Sequence, residues 1–483
     1  MTKMFGTDGI RGHVGEWPLV PEFCLRLGRV AGKILKAEMG SLTLVVGRDP
    51  RRSGQMLMEA LAAGLLASGA EVIDVGVIPT PGVSWLLKEI GADAGVVISA
   101  SHNPVEQNGI KFFSKSGYKL PEEIEARIEE GLLVEGEMQN NPRLGEEAGR
   151  LVEARYLQER YIQGLLDEQK GLSLKGLKIV VDCANGAASS YAPEVFGRLG
   201  AQIIAIHASP NGWNINVEAG SEHVRRHMED IRVLIKQHQA SFGLAFDGDA
   251  DRVIFVDEEG DLVDGDHMLG ILAGYLDRLN KLMGKSVVTT NMRNQGLKTY
   301  LERLGIRLYE TPVGDKYVVE ILRKIRSQER EGIGLGGEQS GHIILDDDEH
   351  ATGDGIRTAL YVIRAYLNSG IGSFSGYSET IGKVPQLIAS AYVGHGQRLD
   401  RAELDMVESQ SLTENAGLLR INLRYSGTEP LFRAMLESDG ELSMDDLSAL
   451  AVKLCRMAQQ AAGIGDSTID ILNCTSGGVV RIA

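Results

Sequence analysis

One arrangement occurs three times along the chain, and it restricts the fold more than any other feature. Each copy opens on a short apolar, β-branched run that breaks into a polar turn: TLVVGRD from Thr43, KIVVDCAN from Lys178 and SVVTTNMR from Ser286. A helical segment follows and stops at a glycine, in SGAEVIDVG, LGAQIIAIH and LGIRLYETPVG, and each stop runs directly into another strand. Strand, helix, strand is the right-handed βαβ crossover of a parallel sheet. A second shared feature comes about 45 to 65 residues after each opening strand. In AGVVISASHNPVEQNGIKFF, FGLAFDGDADRVIFV and GIGLGGEQSGHIIL, a strand ends in a loop of small and polar residues and a second apolar run leads away. The reading is three similar α/β domains, each with polar groups at a strand end, where open α/β sheets bind ligands.

Beyond about Gly376 the pattern changes. KVPQLIASAYVG and LLRINLRYSGTEPLFRAMLES read as strands around a loop, and MDDLSALAVKLCRMAQQAAG as an amphipathic helix, which gives a smaller α+β domain. A prior of about 150 residues per domain suits three or four domains in 483 residues. The net charge of −16 disfavours nonspecific binding to nucleic acid or anionic membranes. Any anionic ligand must be held by local loops. No apolar run approaches a spanning helix or a secretory signal core, so a cytoplasmic location is expected. Cys24, Cys183, Cys455 and Cys474 are scattered without a C-x-x-C, which indicates neither a disulfide framework nor a structural zinc site.

The loops carry the chemistry. In FDGDADR, an extended chain would put Asp247, Asp249 and Asp251 on one face, where the carboxylates would repel without a cation. Hard oxygen donors at this density suit Mg²⁺ or Ca²⁺. An EF-hand is excluded, because Arg252 stands where that loop needs glycine and Val253 to Val256 continue as a strand. SASHNP sets Ser101 beside His102, but neighbours in a chain seldom face each other for base-activated attack, and no G-x-S-x-G elbow is present. On its residues alone Ser101 could equally be part of a turn. GEQSGH, residues 337–342, suits hydrogen bonding to a polyhydroxylated ligand. RYSGTEP, residues 424–430, could cradle a phosphate or form a solvated β-turn. FGTDGIRG and GRDPRRSG each combine glycine, Asp and Arg, and read either as phosphate-facing loops or as Asp–Arg-stabilised turns.

Taken in order, FGTDGIRG, ISASHNP, NGIKFF, KIVVDCANGA, PNGWNIN, FDGDADRV, VGDKYV, GGEQSGH and RYSGTEP resemble the α-D-phosphohexomutase superfamily over nearly the whole chain, to roughly residue 463. The resemblance implies three related α/β domains with mixed sheets and a C-terminal α+β domain of TATA-box-binding-protein-like fold, around one central cleft. The corresponding segments are 1–155, carrying a phosphoserine; 156–266, binding metal; 267–375, recognising sugar; and 376–463, binding phosphate. Residues 464–483 form a tail without an assigned role. The resemblance also implies that Ser101 is carried as phosphoserine, primed by phosphorylation or by a sugar 1,6-bisphosphate. One Mg²⁺ would be held by Asp247, Asp249, Asp251 and an oxygen on Ser101, with Arg252 beside it. Lys111 and His342 match positions for proton transfer or charge stabilisation. Glu338 and Ser340 match sugar-hydroxyl readers, and Arg424, Ser426, Gly427 and Thr428 a distal phosphate loop. Thr7, Arg11 and Lys316 are further substrate-binding candidates. Ala250, Pro50 and Tyr425 depart from the family pattern without removing a proposed catalytic group.

The activity this implies is a phosphoryl relay between O6 and O1 of a hexosamine phosphate through a 1,6-bisphosphate, feeding UDP-N-acetylglucosamine and cell-wall precursors. FGTDGIRG, ISASHNP and GGEQSGH together favour glucosamine phosphates over glucose or mannose phosphates. A non-catalytic sugar-phosphate-binding regulator and a metal-dependent phosphatase are the rival classes. The expected partner is a small-molecule hexosamine phosphate, with neither nucleic acid nor membrane, and a homodimer is compatible with the resemblance.

Overall fold

The three repeats build three sheets with one shared strand order. The computed structural model describes residues 4–6, 8–133, 147–394, 396–426 and 430–482. The first sheet contains β1 (Ile10–His13), β2 (Thr43–Arg48), β3 (Glu71–Val77), β4 (Ala94–Ile98), β5 (Gln107–Ser114) and β6 (Leu151–Glu153), in the order β1-β5-β4-β2-β3-β6. The helix Arg52–Ala67 carries the chain from β2 to the parallel β3, and β4 lies parallel on the other side of β2. β5 then returns antiparallel to β4, with Val97 opposite Lys111.

The second sheet repeats the plan with β7 (Lys178–Asp182), β8 (Gln202–Ile206), β9 (Phe242–Phe246), β10 (Val253–Asp257) and a short β11 (Leu262–Val263), ordered β11-β10-β9-β7-β8. The third has β12 (Leu282–Thr290), β13 (Arg307–Thr311), β14 (Ile333–Gly337) and β15 (Ile343–Asp346), ordered β13-β12-β14-β15. Thus β4–β5, β9–β10 and β14–β15 are the same antiparallel hairpin, and SASHNP, FDGDADR and GEQSGH are its three connecting loops. Every residue of β4 and β9 is buried, as expected for sheets covered on both faces. One apolar core, including Val45, Phe246 and Leu335, runs through all three sheets. This continuity fixes the three loops in a common frame.

The fourth sheet is entirely antiparallel. It contains β16 (Gln386–Tyr392), β17 (Leu418–Tyr425), β18 (Leu431–Ser438), β19 (Ile469–Asn473) and β20 (Val479–Ile482), in the order β17-β18-β16-β19-β20. Its two long helices, Arg401–Glu414 and Met444–Ala461, start with capping boxes from Asp400 and Ser443, which satisfy first-turn N–H groups. Its core, with Leu387, Phe432 and Leu454, is separate from that of the other sheets. Its link to the rest is polar: Arg420 donates to the Arg293 carbonyl at 2.8 Å, and Lys383 pairs with Asp264. A separate core joined by a polar seam favours relative movement.

The tail, for which the sequence supplies no role, forms β19 and β20, and β19 pairs with β16. Ile469 and Ile471 point into the fourth core. Ile469→Ala is therefore expected to destabilise this domain by about 2–4 kcal/mol, read as an earlier denaturant transition of the fourth domain. Among the described residues no helix is long and apolar enough to cross a membrane.

Candidate active site

Ser101 follows β4 and is held in a constrained backbone. Its φ is +54°, a region that disfavours residues other than glycine. The loop is fixed by Arg51, which is 2% exposed. Its guanidinium donates to the carbonyls of Ser101 (3.0 Å), Asn103 (2.8 Å), Pro104 (2.5 Å) and Gln107 (3.1 Å). Asp49 accepts from Arg51 Nε at 2.9 Å and from Ser99 Oγ at 2.7 Å, and Ser99 Oγ accepts from the Ser101 amide. From the second sheet's side, Asn216 Nδ2 donates to the Ser101 and Asn103 carbonyls at 2.9 and 3.0 Å. The loop's carbonyls are thereby turned into the protein. GRDPRRSG is an Asp–Arg turn, and PNGWNIN supplies a second clamp.

The Ser101 hydroxyl donates to Asp247 Oδ2 at 2.5 Å. His102 Nδ1 lies 3.4 Å from Ser101 Oγ, and burial together with nearby Arg252 pushes His102 down to about 3. The adjacent histidine is thus a neutral neighbour with poor geometry for activating the serine. Asp247, Asp249 and Asp251 are all buried, with carboxylate oxygens within 4.8 Å of one another. They converge through a turn between β9 and β10 and not by strand alternation. Ala250 takes φ +57° at the bend, so the short turn, not a pleat, aims all three inward.

The acidic loop fits a hard cation. Asp249 Oδ2 accepts from Thr80 Oγ1 at 2.7 Å and Lys111 Nζ at 3.0 Å, while its buried Oδ1 has no hydrogen-bond partner among the described residues. Burial and the charges of Asp251 and Asp249 raise the Asp247 carboxyl well above its ordinary range. Burial also disfavours ionised Asp251, but His342, Lys111 and Arg252 outweigh this and hold it low. An orphaned buried carboxylate oxygen among all-oxygen donors is the chemistry of a site for a hard divalent cation.

Lys111, on β5, points at this loop. It lies 3.0 Å from Asp249, 3.1 Å from Asp8 and 3.7 Å from Asp251. Burial opposes its charge, but these three carboxylates raise it above the usual lysine range. His342, just before β15, lies 3.5 Å from Asp251 through Nδ1; Gly353 leaves its ring room, since a Cβ there would sit 2.6 Å away. Arg252 donates its backbone N–H to Asp247 Oδ1 and holds its guanidinium 3.8 Å from Asp251 and 3.9 Å from Glu222.

In the third loop, side chains alternate between two duties. Gln339 turns inward to Asp266 and Gln386, while Glu338 and Ser340 remain partly exposed. Glu338 accepts from the Gly314 amide at 3.1 Å, and among the described residues Ser340 Oγ has no hydrogen-bond partner. In the fourth domain, Arg424 on β17 sits directly opposite Arg433 on β18. Like charges facing each other across a ladder are unfavourable without an anion. Burial and Arg433 lower the Arg424 pKa, and among the described residues its Nε has no hydrogen-bond partner. Ser426 is buried beside them, whereas Gly427 and Thr428 lie outside the described residues, as does Thr7. Arg11 reaches Asp8 and, at 3.4 Å, Asn103. Lys316 faces Glu122 at 2.9 Å, toward the rim.

Packing behind Ser101 gives a direct expectation for Gly248. A Cβ there would lie 2.5 Å from the Ser101 carbonyl. Gly248→Ala should displace the serine and lower kcat by about tenfold or more, with a smaller change in KM, in steady-state assays.

Three related core units close on a serine, an acidic trio and the GEQSGH loop, and this arrangement accompanies family matches of the phosphohexomutase class. Residues 2–138, 159–260 and 264–383 match the phosphoglucomutase/phosphomannomutase α/β/α domains I, II and III. The chain belongs to the phosphoglucomutase/phosphomannomutase family. It is 44% identical to the phosphoglucosamine mutase of Moorella thermoacetica, covering 93% of this chain and 98% of the relative. It is also 44% identical to that of Carboxydothermus hydrogenoformans, covering 94% and 100%. Among solved structures, a family protein from Burkholderia thailandensis superposes with a TM-score of 0.73 at 24% identity, over 96% of this chain and 98% of that one. Aspergillus fumigatus N-acetylphosphoglucosamine mutase, in complex with GlcNAc-6P and magnesium, gives 0.63 at 17% identity, over 95% and 96%.

Proposed function

We propose that this chain interconverts glucosamine 6-phosphate and glucosamine 1-phosphate by a phosphoryl relay through Ser101. The observation that carries the reading is the Ser101 hydroxyl set 2.5 Å from Asp247 inside a buried three-carboxylate loop. The relatives named phosphoglucosamine mutase support the substrate. In the first half, O1 of glucosamine 6-phosphate attacks the phosphorus on Ser101. The O1–P bond forms, the Oγ–P bond breaks, and the O1 proton leaves toward the side of the cleft lined by Lys111 and His342. The 1,6-bisphosphate then turns over within the cleft. Ser101 Oγ takes the phosphoryl group from O6, O6 regains a proton, and glucosamine 1-phosphate leaves.

The protein's contribution is position and charge. Arg51 and Asn216 hold the serine, Lys111 and Arg252 offset charge on the transferring group, and Glu338 and Ser340 bind sugar hydroxyls. The Arg424–Arg433 pair with Ser426, Gly427 and Thr428 takes the phosphate remote from Ser101, and Thr7, Arg11 and Lys316 complete the substrate contacts. Mg²⁺ held by Asp247, Asp249, Asp251 and an oxygen on phosphorylated Ser101 would neutralise charge on the phosphoryl oxygens. Priming comes from phosphorylation of Ser101 or from a sugar 1,6-bisphosphate.

The test is a rate comparison on the 6-phosphates of glucosamine, glucose and mannose, with Mg²⁺ and a sugar 1,6-bisphosphate. Glucosamine 6-phosphate is expected to turn over fastest. Faster turnover of mannose or glucose 6-phosphate would identify a phosphomannomutase or phosphoglucomutase, release of inorganic phosphate a phosphatase, and binding without turnover a regulator.

A further inference from the structure

Lys119 has no place in the relay described above, yet it sits where two domains meet. It follows β5 and bridges back to Phe113, which brings it beside the strand that carries Lys111. Its Nζ lies 2.5 Å from Asp8 Oδ1 and 2.6 Å from Asp315 Oδ2. Each of these carboxylates serves a second group. Asp8 Oδ2 is 3.1 Å from Lys111, and Asp315 Oδ2 is 3.9 Å from Nε2 of His342. His342 and Lys111 both reach Asp251, at 3.5 and 3.7 Å. The result is a closed ring of alternating basic and acidic side chains: Lys119, Asp8, Lys111, Asp251, His342, Asp315. It draws on the first, second and third sheets' domains, and its two shortest links are those of Lys119.

The surrounding contact between the first and third domains is polar. Tyr118 hydrogen-bonds to Asp346, Lys88 donates to the Asp348 carbonyl at 3.1 Å, and Arg323 lies over the Tyr118 ring at 5.1 Å. Beside it lies a cavity of about 720 Å³, bordered by Tyr118, Lys119, Asp315 and Lys316. A polar interface next to open space is one that can part and re-form. The ion pairs of Lys119 are with Asp8 and Asp315, and through these two carboxylates it reaches Lys111 and His342.

We propose that Lys119 is a positioning residue that locks the first domain to the third and thereby sets Lys111 and His342 on opposite sides of the acidic loop. The inference rests on the mutase reading of the site. Parting of the two domains breaks the Lys119 links and lets the two groups move separately, and closure restores both together. A lysine between two carboxylates suits this role, because removing it leaves two partly buried negative charges facing each other across the joint.

The experiment uses the full-length protein. Lys119→Met is expected to lower kcat for glucosamine 6-phosphate by about ten- to a hundredfold, with KM changed by less than about threefold. Lys119→Arg, which can also span two carboxylates, restores most of kcat. Asp315→Asn gives a similar loss, and the double variant Lys119→Met/Asp315→Asn is little worse than either single one. Lys88→Ala, at the outer edge of the same joint, leaves kcat unchanged. Hydrogen exchange supplies an activity-independent readout: amides at 118–120 and 314–318 exchange faster in Lys119→Met than in the wild type. Unchanged kcat and exchange in a folded Lys119→Met variant would overturn the proposal, and so would a loss confined to KM, which would make Lys119 a substrate ligand. If Lys119→Met does not fold, Asp315→Asn decides by the same two readouts. A wild type without mutase activity refutes the functional reading instead, and the exchange comparison still reports on the joint.

Discussion

Ser101→Ala is expected to lower mutase kcat by at least about 10⁴-fold while leaving the fold intact. The acceptor oxygen of the relay is lost, and the Thr80 hydroxyl, which also reaches the acidic loop, is committed to Asp249 at 2.7 Å. The wild type should gain the mass of one phosphoryl group on incubation with a sugar 1,6-bisphosphate, and the variant should not. Backbone strain offers a rival explanation, since Ser101 has φ +54° and alanine tolerates that region poorly. Ser101→Gly separates the two. Glycine accepts the backbone without strain, so a folded but inactive Ser101→Gly assigns the loss to the missing oxygen, whereas recovery of activity in Ser101→Gly would sink the relay.

The contrast between Ser101 and the groups that hold it shows what the sequence makes legible. β4, β9 and β14 are apolar runs broken by polar loops at matching intervals, so the threefold architecture is visible from hydrophobic pattern alone. The residues that fix Ser101 are not visible in that way. Arg51 acts on backbone carbonyls about 50 residues away, and a carbonyl leaves no signature in a sequence. Hence GRDPRRSG reads equally well as a ligand loop until its guanidinium is seen among four carbonyls. Asp8 and Lys119 are obscured for a related reason: their partners come from separate segments, and only the packing of the first domain on the third brings Asp315 to Lys119. The acidic trio is legible as a cluster but not in its geometry, because Ala250 in the left-handed region replaces the expected pleat by a turn. The tail carries its own signal, since Ile469 and Ile471 alternate as a half-buried strand does; what is not local is its partner, β16, with Ala389 paired to Ile471 far along the chain.

Asp247→Asn should abolish activity and yet stabilise the metal-free protein. The oxygens of Asp247, Asp249 and Asp251 lie within 4.8 Å of one another in a buried loop, and at an effective dielectric of about 20 one such pair repels by roughly 3 kcal/mol. Asparagine removes one charge from two of these pairs, but proton uptake by the raised Asp247 carboxyl, with Lys111 and Arg252 nearby, already relieves a large part of that repulsion. The asparagine keeps a carbonyl oxygen for the Ser101 hydroxyl or the Arg252 amide but not both, which costs about 1 kcal/mol. In chelator the variant is therefore expected to be more stable than the wild type, by about 1–3 kcal/mol in the denaturant transition of the first three domains. Mg²⁺ reverses the order. At a hundredfold excess over Kd it adds about 2.7 kcal/mol to the wild type, and it adds much less to a variant with one anionic ligand fewer. Mutase kcat falls in parallel by about 10³-fold or more, since charge on the phosphoryl oxygens is no longer offset. The opposite signs identify the trio as a site held together against its own repulsion for function. A wild type indifferent to Mg²⁺, or a variant less stable than the wild type in chelator, would show that Lys111, Arg252 and His342 already balance the three carboxylates without a cation.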